Sequence, residues 1–128
     1  MSRILLVEDD PILLGMYRDK FLHEGFEVET APDGEQGINK MRSFQPDIVL
    51  LDLLMPEQSG FDVLKFAKQD PTLKDIRIVI LTNVHADGQD MVDNWGAASF
   101  LTKAEITPEE VVHRVNVILG EATPQHTS

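Results

Sequence analysis

Four short segments of this chain carry residues that could do chemistry together. Glu8, Asp9 and Asp10 follow the apolar run Ile4 to Val7, and Asp52 follows Ile48 to Leu51. Thr82 and Asn83 follow Ile76 to Leu81, and Thr102 and Lys103 follow Ser99 to Leu101. Brought to one place, they would supply three or four carboxylates, hydroxyls and one ammonium. Carboxylates crowded together repel, and their proton affinities rise unless a cation sits among them. Oxygen donors beside water suit Mg²⁺, which keeps part of its hydration shell. A central carboxylate can then act as a nucleophile toward phosphorus, while a metal and a lysine neutralise the charge on the transferring group.

Each residue also has a plainer reading. Glu8 and Asp9 could be solvated loop acids, Asp10 a helix cap, Thr82 a strand-end residue and Lys103 a surface lysine. Asp52 is harder to dismiss, because it lies between a buried-type apolar run and Leu53, Leu54, Met55 and Pro56. A solvated turn acid rarely keeps such company, and the conjunction of all four segments carries the weight.

What would bring them together is a regular alternation along the chain. The runs at 4–7, 48–51 and 76–81 are almost wholly apolar, as in parallel strands buried on both faces. Phe26 to Thr30 alternates, as an edge strand does. Between the runs lie helical patterns with recognisable ends. Asp10 can cap a helix with Pro11 at its first position; Leu14, Tyr17 and Phe21 form its stripe and Gly25 ends it. Asp33 and Gln36 have capping-box spacing for a second helix reaching about Ser43. A third starts near Ser59 and Gly60 and carries Phe61 and Leu64. A fourth, Ala86 to Trp95, is weakened by Gly88 and terminated by Gly96. A fifth has the capping box Thr107–Glu110, Pro108 in its first turn, and the stripe Val111, Val115, Ile118. Five βα units predict an α/β domain, a doubly wound parallel sheet with helices on both faces. In such sheets ligands bind beyond the carboxyl ends of the strands, where the four segments fall. Residues 1–120 read as one domain and 121–128 as a flexible tail.

Composition narrows the function. Acidic residues outnumber basic ones 22 to 11, a net charge of −11, which disfavours direct nucleic-acid binding. The chain has no cysteine, so disulfides and thiolate chemistry are excluded. No apolar run approaches the length of a membrane span, and the start of the chain lacks signal-peptide features; a cytoplasmic location is expected. His23, His85, His113 and His126 show no metal-ligand spacing, and no glycine-rich phosphate loop is present.

From residue 2 to about 120 the chain resembles the receiver domain of two-component response regulators, the CheY-like superfamily. The stretches that carry the resemblance are Ile4 to Asp10, Asp47 to Asp52 with Met55, Pro56 and Gly60, Leu81-Thr82, and Phe100-Leu101-Thr102-Lys103. In order and at this spacing they are specific. The resemblance implies a flavodoxin-like sheet with strand order 2-1-3-4-5. It implies Asp52 as phosphoacceptor. Mg²⁺ would be bound by Asp9 and Asp52, by Glu8 in an assisting role, and by the backbone carbonyl of Leu54. Lys103 would pair with the acceptor and then with the phosphoryl group, Thr82 would move toward that group, and Phe100 would be the aromatic that rotates inward with it. Output would pass through the fourth helix, fifth strand and fifth helix to a protein target, with a sensor histidine kinase or phosphotransfer protein as donor.

Three positions depart from the family's pattern. Ala104 follows Lys103 where many receivers have a proline, usually after a cis bond; before a non-proline residue a trans bond and an altered loop are expected. Leu54 and Val84, at the two positions that modulate dephosphorylation, are apolar and cannot orient an attacking water, so slow self-dephosphorylation is expected. Trp95, where a small residue is common, is expected to be partly exposed on the output side. Leu54 also argues against an aspartyl-phosphate phosphatase, which needs a second acid two residues after its nucleophile. The domain would be no enzyme beyond its own phosphoryl transfer and slow self-dephosphorylation. Two alternatives are a receiver fragment of a larger regulator and a phosphorylation-independent interaction domain. For a chain that stops at residue 128, output is expected to come through a partner.

Overall fold

In the computed structural model, which describes residues 2–53, 55, 59–83 and 85–120, the apolar runs become five strands: β1 (Arg3–Val7), β2 (Glu27–Ala31), β3 (Ile48–Asp52), β4 (Arg77–Thr82) and β5 (Ser99–Thr102). They pair in parallel in the order β2-β1-β3-β4-β5, the order that the resemblance implies. Five helices alternate with them: α1 (Pro11–His23), α2 (Gly34–Phe44), α3 (Gly60–Gln69), α4 (His85–Trp95) and α5 (Pro108–Gly120). A single 3₁₀ turn, Lys103–Glu105, follows β5. The expected tail, 121–128, lies outside the described residues.

Strand side chains alternate between two cores. Leu5, Val7, Val49, Leu51, Ile78 and Ile80 pack under α2, α3 and α4, with Met41, Leu64 and Met91. Ile4, Leu6, Ile48, Leu50, Val79 and Leu81 pack under α1 and α5, with Phe21 and Val115. Each such side chain contributes roughly 1.5–3 kcal/mol of burial. The central strand β3 is buried at every residue, whereas β2, at the edge, is only half covered.

The helix ends follow from local chemistry. Asp10 accepts hydrogen bonds from the amides of Ile12 (3.0 Å) and Leu13 (3.3 Å). Thr107 and Glu110 form the reciprocal box: the Thr107 amide donates to Glu110 Oε1 (2.8 Å) and the Glu110 amide to Thr107 Oγ1 (3.2 Å). The box expected at α2 is half formed. The Gln36 amide donates to Asp33 Oδ1 (2.8 Å), but the Gln36 side chain turns to Asp33 Oδ2 rather than to the backbone. Gly25 and Gly96, at φ of +94° and +82°, supply the left-handed residues that follow α1 and α4. At the far end of the sheet, Lys68 Nζ donates to the carbonyls of Lys74 and Ile76, both at 2.9 Å, tying α3 to the approach to β4.

No peptide bond among the described residues is cis, so Lys103–Ala104 is trans as expected, and the chain there winds into the 3₁₀ turn. Trp95 is half-buried, as expected, but its direction differs. Its ring meets Phe61 of α3 edge-on, centroids 5.0 Å apart, and Lys65 Nζ lies 5.7 Å from its centroid. It fills the seam between α3 and α4 instead of the output side, because burying the indole against an aromatic recovers area that the exposed side does not offer.

Candidate functional site

Parallel pairing sets the strand ends level. Val7 is opposite Leu51, Asp52 opposite Leu81, and Thr82 opposite Thr102. The residues at these ends therefore meet at one rim. Asp52 is the last residue of β3 and is 2% exposed; Thr82, the last of β4, is 1% exposed; Glu8, just past β1, is 5% exposed. These are the three buried polar or charged residues among those described. Burying such groups costs several kcal/mol each unless they are matched.

The match comes from across the sheet. Lys103 Nζ lies 3.1 Å from Asp52 Oδ1 and 3.6 Å from Glu8 Oε1. Glu8 is held from behind, its own amide donating to the Ala31 carbonyl (3.1 Å) and its Oε2 accepting from the Asp10 amide (3.1 Å). Asp10 thus belongs to the helix cap and to the support of Glu8, and its carboxylate is no part of the acid cluster. That cluster is Glu8, Asp9 and Asp52, each offering an oxygen within 4.8 Å of the others, with Asp9 on the exposed side.

Three carboxylates against one ammonium leave the rim short of positive charge. Burial, a hydrogen bond with the Asp52 carboxyl and the charge of Asp52 push the Glu8 carboxyl up from 4.5 to about 7, opposed by the Asp10 amide and Lys103. A retained proton is what a crowded acid pocket does in place of a cation. All-oxygen donors opening to water on one side fit a hard divalent ion. The Leu54 carbonyl, the fourth expected donor, and Val84 lie outside the described residues.

The remaining expected residues are near. Thr82 and Phe100 share one face of the sheet, since Phe100 is opposite Ile80 and Thr102 opposite Thr82. Phe100 is half-buried, packed against the core beneath α4. Asn83 is exposed.

Two supporting residues escaped the sequence reading. Gly60 stands in the sequence as a helix start and one member of the family pattern, with no sign of the close approach it permits. Its amide donates to the Leu53 carbonyl (2.9 Å), and a methyl group there would fall 2.8 Å from Leu53 Cα and closer still to the Asp52 carbonyl oxygen. Only glycine lets α3 start against the end of β3. Tyr17, read as one of a helix stripe, borders the small internal space behind Glu8. Burial pushes its hydroxyl pKa up, and the Glu8 charge adds to this. Nothing in the stripe distinguishes it from an ordinary core residue.

Comparison with known proteins agrees with this geometry. Residues 4–116 match the response regulator receiver domain family. The chain is 33% identical over 121 residues to the DNA-binding dual master transcriptional regulator RpaA of Synechocystis, covering 93% of this chain and 49% of that protein. It is 38% identical over 104 residues to response regulator PleD of Caulobacter vibrioides, covering 80% of this chain and 23% of that one. The chain therefore spans about half, or less, of the length of these curated relatives. Among solved structures, the chemotaxis protein CheY4 of Vibrio cholerae superposes with a TM-score of 0.84 at 27% identity, over 92% of this chain and 98% of that one. Among the described residues no helix is long and apolar enough to cross a membrane. With the sheet order, the acid rim and the family match in agreement, the chain belongs to the receiver domains of two-component response regulators.

Proposed function

We propose that this chain is the phosphorylation-dependent switch of a His-to-Asp phosphorelay, with Asp52 as phosphoacceptor. The observation that carries the reading is Asp52 itself: a carboxylate 2% exposed at the end of the central strand, with the Lys103 ammonium at 3.1 Å and two further carboxylates beside it. Glu8, Asp9 and Asp52 would hold Mg²⁺, together with the Leu54 carbonyl. When bound, that ion offsets charge on the acid cluster and on the transferring phosphoryl group. Asp52 attacks phosphorus, a P–O bond forms, and the bond from phosphorus to the donor, a phosphohistidine or a small acyl phosphate, breaks with its electron pair leaving on the donor. Lys103 turns from the bare carboxylate to a phosphoryl oxygen. The Thr82 hydroxyl donates a hydrogen bond to another and draws Phe100 inward.

Contacts made only in the phosphorylated conformer shift the population toward it, and the changed surface comprises α4, β5 and α5. The donor is a sensor histidine kinase or phosphotransfer protein in the cytoplasm and the recipient a protein target; the acidity of the chain disfavours nucleic acid as the direct one. The domain comprises residues 1–120, with 121–128 as a tail, and its only chemistry is its own phosphoryl transfer and slow loss. A second reading, the receiver of a longer regulator, is supported by the chain spanning about half or less of the relatives named. An immunoblot of the native protein decides between the two by size.

Intact mass after incubation with Mg²⁺ and acetyl phosphate tests the chemistry. One phosphoryl adduct that needs Mg²⁺ and is absent from Asp52→Asn is expected. No adduct on folded protein, beside a control receiver that reacts, overturns the reading in favour of a phosphorylation-independent interaction domain.

A further inference from the structure

The glycine in the middle of α4 has a partner. Gly88 is buried, and the three atoms nearest to where its Cβ would stand all belong to the Phe100 side chain. A methyl group there would lie 2.7 Å from Phe100 Cβ and closer still to Cγ and Cδ2, where carbon atoms need about 3.5–4 Å. The ring therefore rests on bare helix backbone. Turning the ring would relieve the conflict with Cγ and Cδ2. It would not relieve the conflict with Cβ, which is fixed to the strand; that requires α4 to move away from β5. Gly88 thus sets two things together, the orientation of the ring and the distance of α4 from β5. Both lie on the sheet face that carries Thr82.

We propose that Gly88 is the positioning residue of the switch: it seats Phe100 and holds α4 against β5 in the present conformer, so that any side chain at 88 unseats the ring and biases the domain toward its other packing before any phosphoryl group arrives. The claim about bias rests on the function proposed above for Thr82 and Phe100; the claim about the seat does not. A conformer destabilised in this way competes less well with the one that phosphorylation favours, so the fraction of molecules already in that packing rises, and with it the rate of uptake through that packing. A glycine that is merely tolerated behaves oppositely, because alanine in a helix interior ordinarily stabilises.

The test uses the full chain as wild type, Gly88→Ala, Phe100→Gly and the double variant. Urea denaturation and the rate of uptake from acetyl phosphate with Mg²⁺ are measured on each. Phe100→Gly removes all three conflicting atoms. Gly88→Ala is expected to lower stability in the wild-type background and to raise it in the Phe100→Gly background. It is expected to speed uptake several-fold with Phe100 present and to leave it unchanged without Phe100. The same stabilisation in both backgrounds, or an unchanged uptake rate with Phe100 present, overturns the proposal. If Gly88→Ala alone cannot fold while the double variant can, the seat is supported; if neither folds, the need for glycine lies elsewhere and the seat is refuted. Absence of uptake from all four proteins condemns the phosphorylation reading alone, and the reversal in stability still reports the seat.

Discussion

Replacing Glu8 by glutamine should make the metal-free protein more stable, and only at neutral and alkaline pH. The folded carboxyl keeps its proton up to about 7, against 4.5 without the site. Near pH 4 the proton is bound in both folded and unfolded chains, so the side chain contributes nothing that glutamine lacks. As pH rises from 4.5 toward 7, the unfolded chain releases the proton while the folded chain retains it, and stability falls. Above about 7 both are ionised and the cost remains in full. At about 1.4 kcal/mol per decade of proton affinity, the distance from 4.5 to about 7 amounts to about 3 kcal/mol. Urea denaturation in EDTA should therefore find Glu8→Gln level with wild type near pH 4 and up to about 3 kcal/mol more stable near pH 8. The amide can still accept from the Asp10 amide and donate toward Asp52, so the supporting bonds survive. Saturating Mg²⁺ at the higher pH should shrink or invert the gap, since the wild type gains more from a cation. A difference that does not change with pH, or a variant less stable throughout, would refute the account of Glu8 as a crowded, proton-retaining acid.

Leu54 and Val84 offer no polar side-chain atom to a hydrolytic water, so the phosphorylated protein should persist for minutes or longer once the donor is removed; a half-life of seconds by intact mass would contradict this. Gly60→Ala sets a methyl group against the backbone of Asp52 and Leu53, which no side-chain rotation relieves. A loss of about 2–3 kcal/mol is expected in urea denaturation despite alanine's better helix propensity, with weakened uptake; a neutral result would mean that the start of α3 adjusts freely. Lys103→Met leaves Asp52 buried without its nearest cation. It should cost about 1–3 kcal/mol, and much less in an Asp52→Asn background; equal costs in both would show that the pair is not coupled.

The parts of the fold that were legible in the sequence are those settled within a few residues or by sheet topology. Asp10 and the Thr107–Glu110 box announce helix starts because cap and amide are two or three residues apart. The rim was legible because parallel strands necessarily bring their ends together, so Glu8, Asp9, Asp52, Thr82 and Lys103 needed no side-chain geometry to be grouped. What stayed hidden depends on which distant atom each residue meets. Trp95 could be placed at the end of α4 but not aimed, since Phe61 is far away along the chain. Gly88 read as a flaw in a helix because its reason, Phe100, belongs to a different element. Whether Gln36 would close its box or turn aside is a contest between near-equal hydrogen bonds, which spacing alone does not resolve. The degree to which Glu8 is buried follows from the Ala31 carbonyl and the Asp10 amide closing behind it, and a string of three acids gives no sign of that.

The sheet order has a mechanical consequence. Asp52 ends a strand clasped by β1 on one side and β4 on the other, whereas the strand leading to Lys103 has β4 as its one strand neighbour in the sheet, with α4 over one face. The two ends of the Lys103–Asp52 ion pair are therefore anchored with unequal stiffness. A change of charge at Asp52 should meet a firmer support there and a more yielding one at the border, so displacement is expected to accumulate in β5 and to die out toward β1. Amide exchange should reveal the same gradient at rest, slowest in β3 and faster at the margin that carries Phe100. In a sheet arranged this way the central strand would act as the fulcrum, and the movement of Thr82 and Phe100 would be confined to the flank beyond β3, the free end of the lever.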